Sequence, residues 1–253
     1  MSLRSKLLRH PKPIHQFNDL ESIKWVATNK PDWLLDNYKI RKSAETPILE
    51  KHLRLINIEP FFLSDSMFNG IHGGRHAYRV AINATFLMQS QFSLRKEEKE
   101  AVIISCLLHD CRRKNDNADI DHGKRASKWL LRQNNILPKH LHAYINPIVL
   151  SISSHNDSYG TILKLKDYKK YKAFVDTLKT ADGLDRYRFP RSDWWFSDNF
   201  VKLKPDKKLK SIAFDLSVLS EAIYLETKDN KKSVMTALDI LKNKKGPHLR
   251  ALR

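Results

Sequence analysis

The stretch AVIISCLLHD, residues 101–110, constrains the fold more than any other ten residues of the chain. It continues SLRKEEKE (93–100), whose charged residues suit an exposed helix start with Ser93 as N-cap. The run from Ala101 to Leu108 then carries no charge, so the helix leaves the surface and ends inside the core. It ends in His109-Asp110. Two titratable groups at the buried end of an apolar helix are costly unless something satisfies them. A terminal turn that brings both to solvent is one answer. A divalent cation is the other, since neutral imidazole and carboxylate both bind it.

Most of the remaining chain reads as helix too. Apolar positions recur at helical spacing over 18–28, 32–42, 46–58, 75–90, 93–110, 121–135, 137–156, 167–188, 207–227 and 231–243, and Pro138 suits a first helical turn. Only 7 glycines and 10 prolines occur, too few for a barrel or sandwich built on tight turns. The expected fold is all-α, one domain with N- and C-terminal helical additions. Its 253 residues can bury a substantial core.

Lys and Arg number 46 against 28 Asp and Glu, a formal net charge of +18. Such an excess favours encounter with nucleic acid, nucleotides or an anionic membrane surface, although runs such as KLKPDKKLK (202–210) also serve as solvated helix faces. Cys106 and Cys111 are the only cysteines. They lack the count and spacing of a disulfide framework or a paired-cysteine zinc site, which points to a reducing compartment. The N-terminal MSLRSKLLRHPKPIHQF has no sustained apolar stretch to act as a secretory signal, and no run of 18 apolar residues exists. A cytoplasmic protein is expected.

Further segments repeat the pattern of the doublet. HGKRAS begins a helix with His122, SISSHN ends an apolar helix with His155, and VDTLKTADGLDRYR carries Asp182 between Leu178 and Leu184. GIHGGRHAYRV (70–80) adds His76 at the start of another helix. Each is weak by itself, because a lone His or Asp at a helix end usually caps it or faces water. Together they are helices that each present His or Asp at an end or inner face, and a bundle can gather such groups around metal.

The ordered series His76, His109-Asp110, His122, His155, Asp182 resembles the HD superfamily of metal-dependent phosphohydrolases. HGGRHAYRV is similar to the HGxxHxxRV entry of many bacterial members, LLHDCRRKNDNADIDHG to their doublet helix and following loop, and TADGLDR to their last ligand segment. The likeness covers residues 70–190, leaving an N-terminal helical extension (1–69) and a Trp-rich loop with C-terminal helices packed on the same domain (191–253). By position, the resemblance implies that His76, His109, Asp110 and Asp182 hold a primary metal. It likewise implies that His122 and His155 serve a second, with Asp110 bridging. Several two-metal members have a His pair where this chain has His155-Asn156, so the second site is expected to be the weaker. Mixed N/O ligation suits one or two ions of Mn, Fe, Ni, Co or Zn better than Ca or Mg, with Mg still within reach.

The implied reaction is hydrolysis of a phosphomonoester or phosphodiester bond in a nucleotide or related phosphorylated small molecule. The metal polarises phosphoryl oxygens and lowers the pKa of bound water. His109 and Asp110 would lie at the catalytic centre. Arg79, one turn past His76, reads as a phosphate clamp or as the partner of a ligand carboxylate, and Arg112, Arg113 and Lys114 as phosphate contacts. His72 can orient the site, and Asp116, Asp119 and Asp185 can hold ligating imidazoles in the required tautomer. Cys111 receives no role. Trp194, Trp195 or Tyr187 can stack on a base, or the tryptophans can pack the loop RSDWWFSDNF (191–200) onto the bundle. The net charge keeps open a nuclease or phosphodiesterase acting on single-stranded nucleic acid or oligonucleotides. A di-iron oxygenase, which a few HD relatives are, is the reading from another class.

Overall fold

The computed structural model describes residues 19–40, 53, 56–133 and 135–243. Among them the chain is all-α, without a strand. Its helices are α1 (Leu20–Thr28), α2 (Asp65–Asn69), α3 (Gly74–Gln91), α4 (Lys96–Leu108), α5 (His122–Leu131), α6 (Ile145–Ser154), α7 (Tyr159–Ile162), α8 (Tyr168–Leu184), α9 (Lys207–Thr227) and α10 (Asn230–Lys242). Shorter 3-10 turns lie at Glu59–Phe61, Lys139–Tyr144, Asp185–Arg188, Ser192–Trp194 and Asp198–Phe200.

α3 and α4 form the centre, for a reason visible in their composition. Every residue of α4 from Glu100 to Leu108 is buried, and in α3 Val80, Ala81, Ile82, Ala84 and Leu87 are all fully enclosed. A helix apolar around its circumference has to be covered on more than one side. α6 packs on α4, α8 on both helices of the central pair and α5 on α6, while both helices of the α9–α10 hairpin pack against α3. α1 lies on α9 and the 185–188 turn. One apolar cluster therefore runs from Ile23 of α1 to Leu241 of α10. The segments flanking 70–190 share the core of the segment between them.

Several element boundaries differ from those read off the sequence. The span expected as a helix over 32–42 is turn and extended chain over its described part, 32–40. Its polar groups go to α9 instead: Leu35 N–H donates to Ser211 Oγ at 2.8 Å, and Tyr38 Oη to Asp215 Oδ2 at 2.6 Å. The expected 46–58 helix lies mostly outside the described residues. α4 starts at Lys96, not after Ser93, because Glu98 reaches back to the backbone N–H of Arg95 at 2.8 Å. The 137–156 span breaks at Tyr144 into a 3-10 turn and α6, with extended Pro138 preceding the turn. The 167–188 span ends as α helix at Leu184 and tightens into the 185–188 turn.

Two tight passages set up the site. At Gly73 a Cβ would stand 2.0 Å from the carbonyl oxygen of Phe68, so only glycine lets the chain turn from α2 into α3 and start His76 at the right height. At Gly123 a Cβ would stand 2.5 Å from Ile152 O and 3.0 Å from the His155 ring, so glycine brings α5 and α6 into contact.

Candidate metal centre

All six expected ligands sit at helix ends that meet in one place. His76 is in the first turn of α3 and His122 opens α5; His109-Asp110 and His155 follow the last residues of α4 and α6, and Asp182 is in the last turn of α8. The four imidazoles and Asp110 are buried, and Asp182 keeps 29% of its side chain exposed. Around Nε2 of His76 lie His109 Nε2 at 3.0 Å, Asp182 Oδ1 at 3.3 Å and Asp110 Oδ2 at 3.6 Å. Around Asp110 Oδ1 lie His122 Nε2 at 2.8 Å and His155 Nε2 at 3.5 Å, and the two Nε2 atoms are 2.9 Å apart. Ligands about 2.1 Å from a metal are separated by about 3.0 Å at right angles and about 3.4 Å in a tetrahedron. The spacings have that scale, and these buried His and Asp groups can hold a metal ion.

The tautomers sharpen this. Nδ1 of His109 faces Cys106 O at 2.7 Å, Nδ1 of His155 faces Ile152 O at 2.7 Å, and Nδ1 of His122 faces Asp119 O. Nδ1 of His76 meets Asp185 Oδ2 at 2.7 Å. Carbonyl and carboxylate oxygens only accept, so Nδ1 donates in each ring and Nε2 is turned to the centre, where His122 alone also faces a carboxylate oxygen close enough to share a proton with it. Two bare Nε2 lone pairs repel at 2.9–3.0 Å unless positive charge lies between them. A proton does not supply it at neutral pH for His109, because burial pushes its pKa down to about 3, against the raising effect of Asp110. Oδ1 of Asp110 is buried and faces His122 Nε2 at 2.8 Å. The donor set therefore fits a divalent cation, with Asp110 Oδ2 turned to His76 and Oδ1 to His122, His155 and, at 3.8 Å, His109.

The carboxylates are held ionised. Burial raises the pKa of Asp110 and of Asp182, yet both lie well below the ordinary range: His122, His109 and Arg113 favour the charged form of Asp110, and His76 that of Asp182. His122 moves the other way. Burial disfavours its cation, but the Asp110 carboxylate outweighs that and raises its pKa.

Behind His76 stands a buried ion-pair chain. Asp185 accepts from Arg79 Nε at 2.5 Å and Nη2 at 3.0 Å, and from Ser217 Oγ at 3.1 Å; Arg79 also donates to Glu221 at 2.6 Å, and Glu221 accepts from Arg75 at 3.0 Å. Burial opposes the Asp185 charge, and Arg79 then holds its pKa well below the ordinary carboxylate range. Arg79 is fully enclosed with its guanidinium committed to two carboxylates, which corrects the expectation of a phosphate clamp. It serves the other expected role one step removed, as partner of the carboxylate that grips a ligand imidazole.

The other sequence candidates separate. Arg113 reaches the centre, 3.7 Å from Asp110 Oδ2. Arg112 is stacked on Trp129, with its guanidinium 4.1 Å from the ring centre, and the side chain of Lys114 is exposed. Neither is among the groups that reach Asp110. Asp119 holds His122 through its backbone oxygen while its carboxylate pairs with Arg125, and Asp116 lies against Gly70. His72 Nδ1 accepts from Arg188 Nη2 at 3.1 Å and lies 3.4 Å from Asp110 Oδ2. Arg188 and Glu221 had no signal in the sequence, because their partners lie on other elements. Cys111 is buried, with its thiol pushed up to about 12, chiefly by burial.

A cavity of about 330 Å3 opens beside Asp182 and His155. Lys179, Arg186, Trp194, Phe196 and Phe200 line it. Tyr187 and Trp195 are core residues packed edge-on against Phe214, Trp195 also bordering the cavity, and Trp194 alone of the three expected aromatic candidates stays half-exposed. Among the described residues no helix is long and apolar enough to cross a membrane. Comparison of the chain with family models, with curated proteins and with solved structures finds no match.

Proposed function

We propose that this protein is a metal-dependent phosphohydrolase of the HD type, cleaving an ester bond of a nucleotide or related phosphorylated substrate. The observation that carries the reading is the convergence of four imidazole Nε2 atoms, each ring held through Nδ1 by an acceptor, on the two oxygens of one buried aspartate. His76, His109, Asp110 and Asp182 would hold one ion, and Asp110, His122 and His155 a second. When bound, such ions polarise phosphoryl oxygens and lower the pKa of water. The chain's own groups do the rest. Arg113 places fixed positive charge on the Asp110 side, where a phosphate can be oriented, and Lys179 and Arg186 do the same at the cavity beside Asp182. Asp185 keeps the His76 ring in the donating orientation.

The test is metal content of the purified protein together with hydrolysis of bis-p-nitrophenyl phosphate across added Mn, Ni, Co, Mg and Zn. Turnover that a chelator removes, and that Asp110→Ala abolishes with the helical circular dichroism intact, is the expected result. No bound metal and no turnover would overturn it. Bound iron with oxygen consumption and no hydrolysis would replace it by the oxygenase reading.

A further inference from the structure

We infer that the cavity beside Asp182 is a two-ended subsite for a nucleotide unit, with Phe200 and Trp194 receiving the aromatic base and Lys179 and Arg186 flanking the phosphate. The phosphate end rests on the phosphohydrolase reading; the aromatic end rests on the cavity lining alone.

Three observations carry it. First, Phe200 is 72% exposed, has no ring partner among the described residues, and lines the cavity. It sits on a braced turn: its N–H meets Ser197 O at 3.3 Å, and Asp198 of the same turn is paired with Lys210 at 2.6 Å. An apolar ring held out at the mouth of a cavity gains by stacking on a planar partner. Second, Trp194 on the adjoining wall is fixed in place, with Arg191 4.4 Å from its ring centre and Phe189 edge-on at 5.7 Å. Asp193 at the same wall is paired with Arg191 at 2.8 Å, so its charge is compensated.

Third, the two ends differ in chemistry. Arg186 donates Nε to Trp194 O at 2.7 Å, which leaves its Nη groups without a protein partner among the described residues, and Lys179 is anchored on His155 O and Asp157 O at 2.9 and 2.6 Å. Positive charge thus lies between the candidate ligands and the aromatic wall. A volume of about 330 Å3 is at the small end for ligand sites, room for one nucleotide unit. That unit can be a free mononucleotide or the terminal residue of a single strand.

The experiment is isothermal titration of the metal-supplied full chain with AMP, with ribose 5-phosphate, and with a 5′-phosphorylated single-stranded oligonucleotide, on wild type, Phe200→Ala and Trp194→Ala. AMP is expected to bind about ten-fold or more tightly than ribose 5-phosphate. Phe200→Ala should remove most of that preference while the ribose 5-phosphate affinity stays put. An oligonucleotide that outcompetes AMP, with a steeper salt dependence and the same loss in Phe200→Ala, supports the subsite with a strand end as its source; AMP binding at least as tight supports it with a free nucleotide. Equal affinity for AMP and ribose 5-phosphate, absence of binding by all three probes, or a preference that survives both substitutions would overturn it. Metal content of the same samples separates the two readings. Base preference without bound metal removes the phosphohydrolase reading and keeps the aromatic subsite, while bound metal without base preference does the reverse.

Discussion

The two halves of the candidate metal centre use the same kinds of donor and hold them differently. His122 and His155 are each gripped by the backbone carbonyl three residues earlier, and so is His109. His76 is gripped by a carboxylate 109 residues away, which is itself fixed by Arg79, Arg188 and Ser217. A carbonyl three residues back comes with the local turn and needs no tertiary partner. The Asp185 clamp exists only when α3, α9 and the 185–188 turn are packed together. One half is therefore supported locally, and the other depends on the C-terminal helices.

The comparison can be broken or sharpened by substitution. Asp110 belongs to both halves, so Asp110→Ala should take metal content to the chelated level and abolish hydrolysis, read by elemental analysis and the bis-p-nitrophenyl phosphate assay. Retention of one full ion would show that the halves do not share it. Asp185→Asn should act on one half only. Its amide can no longer be relied on to accept from His76, and losing such a support typically costs about 10–100-fold in metal affinity. Competition titrations with a chromophoric chelator should show one weakened ion and one unchanged; equal weakening of both would show that the clamp is not specific.

Gly123→Ala addresses the other half. The added methyl meets Ile152 O and the His155 ring, and forced overpacking costs about 1–3 kcal/mol. Denaturant unfolding should show that loss, and the ion at His122 and His155 should weaken while the His76 side keeps its own.

The smallest effect is a difference in pH dependence of the metal-free protein. His109 has a folded pKa of about 3, below the ordinary value of 6.5, so between those limits the unfolded chain binds a proton that the folded one does not. Stability then falls as pH falls, with a slope approaching about 1.4 kcal/mol per pH unit for one proton. His122 has the opposite sign: its raised pKa contributes stability that is present below the ordinary imidazole value and is lost as pH rises through the folded one. Chelated His109→Asn should show a shallower decline from pH 7 to 5 than wild type, and His122→Asn a steeper one. Identical slopes in the three proteins would remove the distinction.

Much of this centre is legible in the amino-acid sequence. AVIISCLLHD requires a buried helix end with polar groups to be satisfied, and that is where His109 and Asp110 lie. The candidate ligands at the ends of α5, α6 and α8 show the same kind of local pattern more weakly, and the resemblance is what singled them out. Arg79 shows the limit. Its spacing from His76 places it on the correct helix and turn, but whether it faces a phosphate, solvent or a carboxylate depends on residues 106 and 142 positions away. The segment over 32–40 shows it again, since apolar spacing suggests a helix and Ser211 and Asp215 of α9 capture its polar groups instead.

The sequence by itself determined the all-α class and the central apolar helix that ends in His109 and Asp110, while the six candidate donors came from a resemblance to a family. The first two follow from periodicity and from the cost of burying charge, both of which act over a few residues. Tertiary structure alone decided the Asp185–Arg79–Glu221 clamp, the sorting of Arg113 toward the centre and Arg112 onto Trp129, and the cavity faced by Trp194 and Phe200. Those are contacts between elements far apart in the chain, and no local period records which side chains will meet when helices pack.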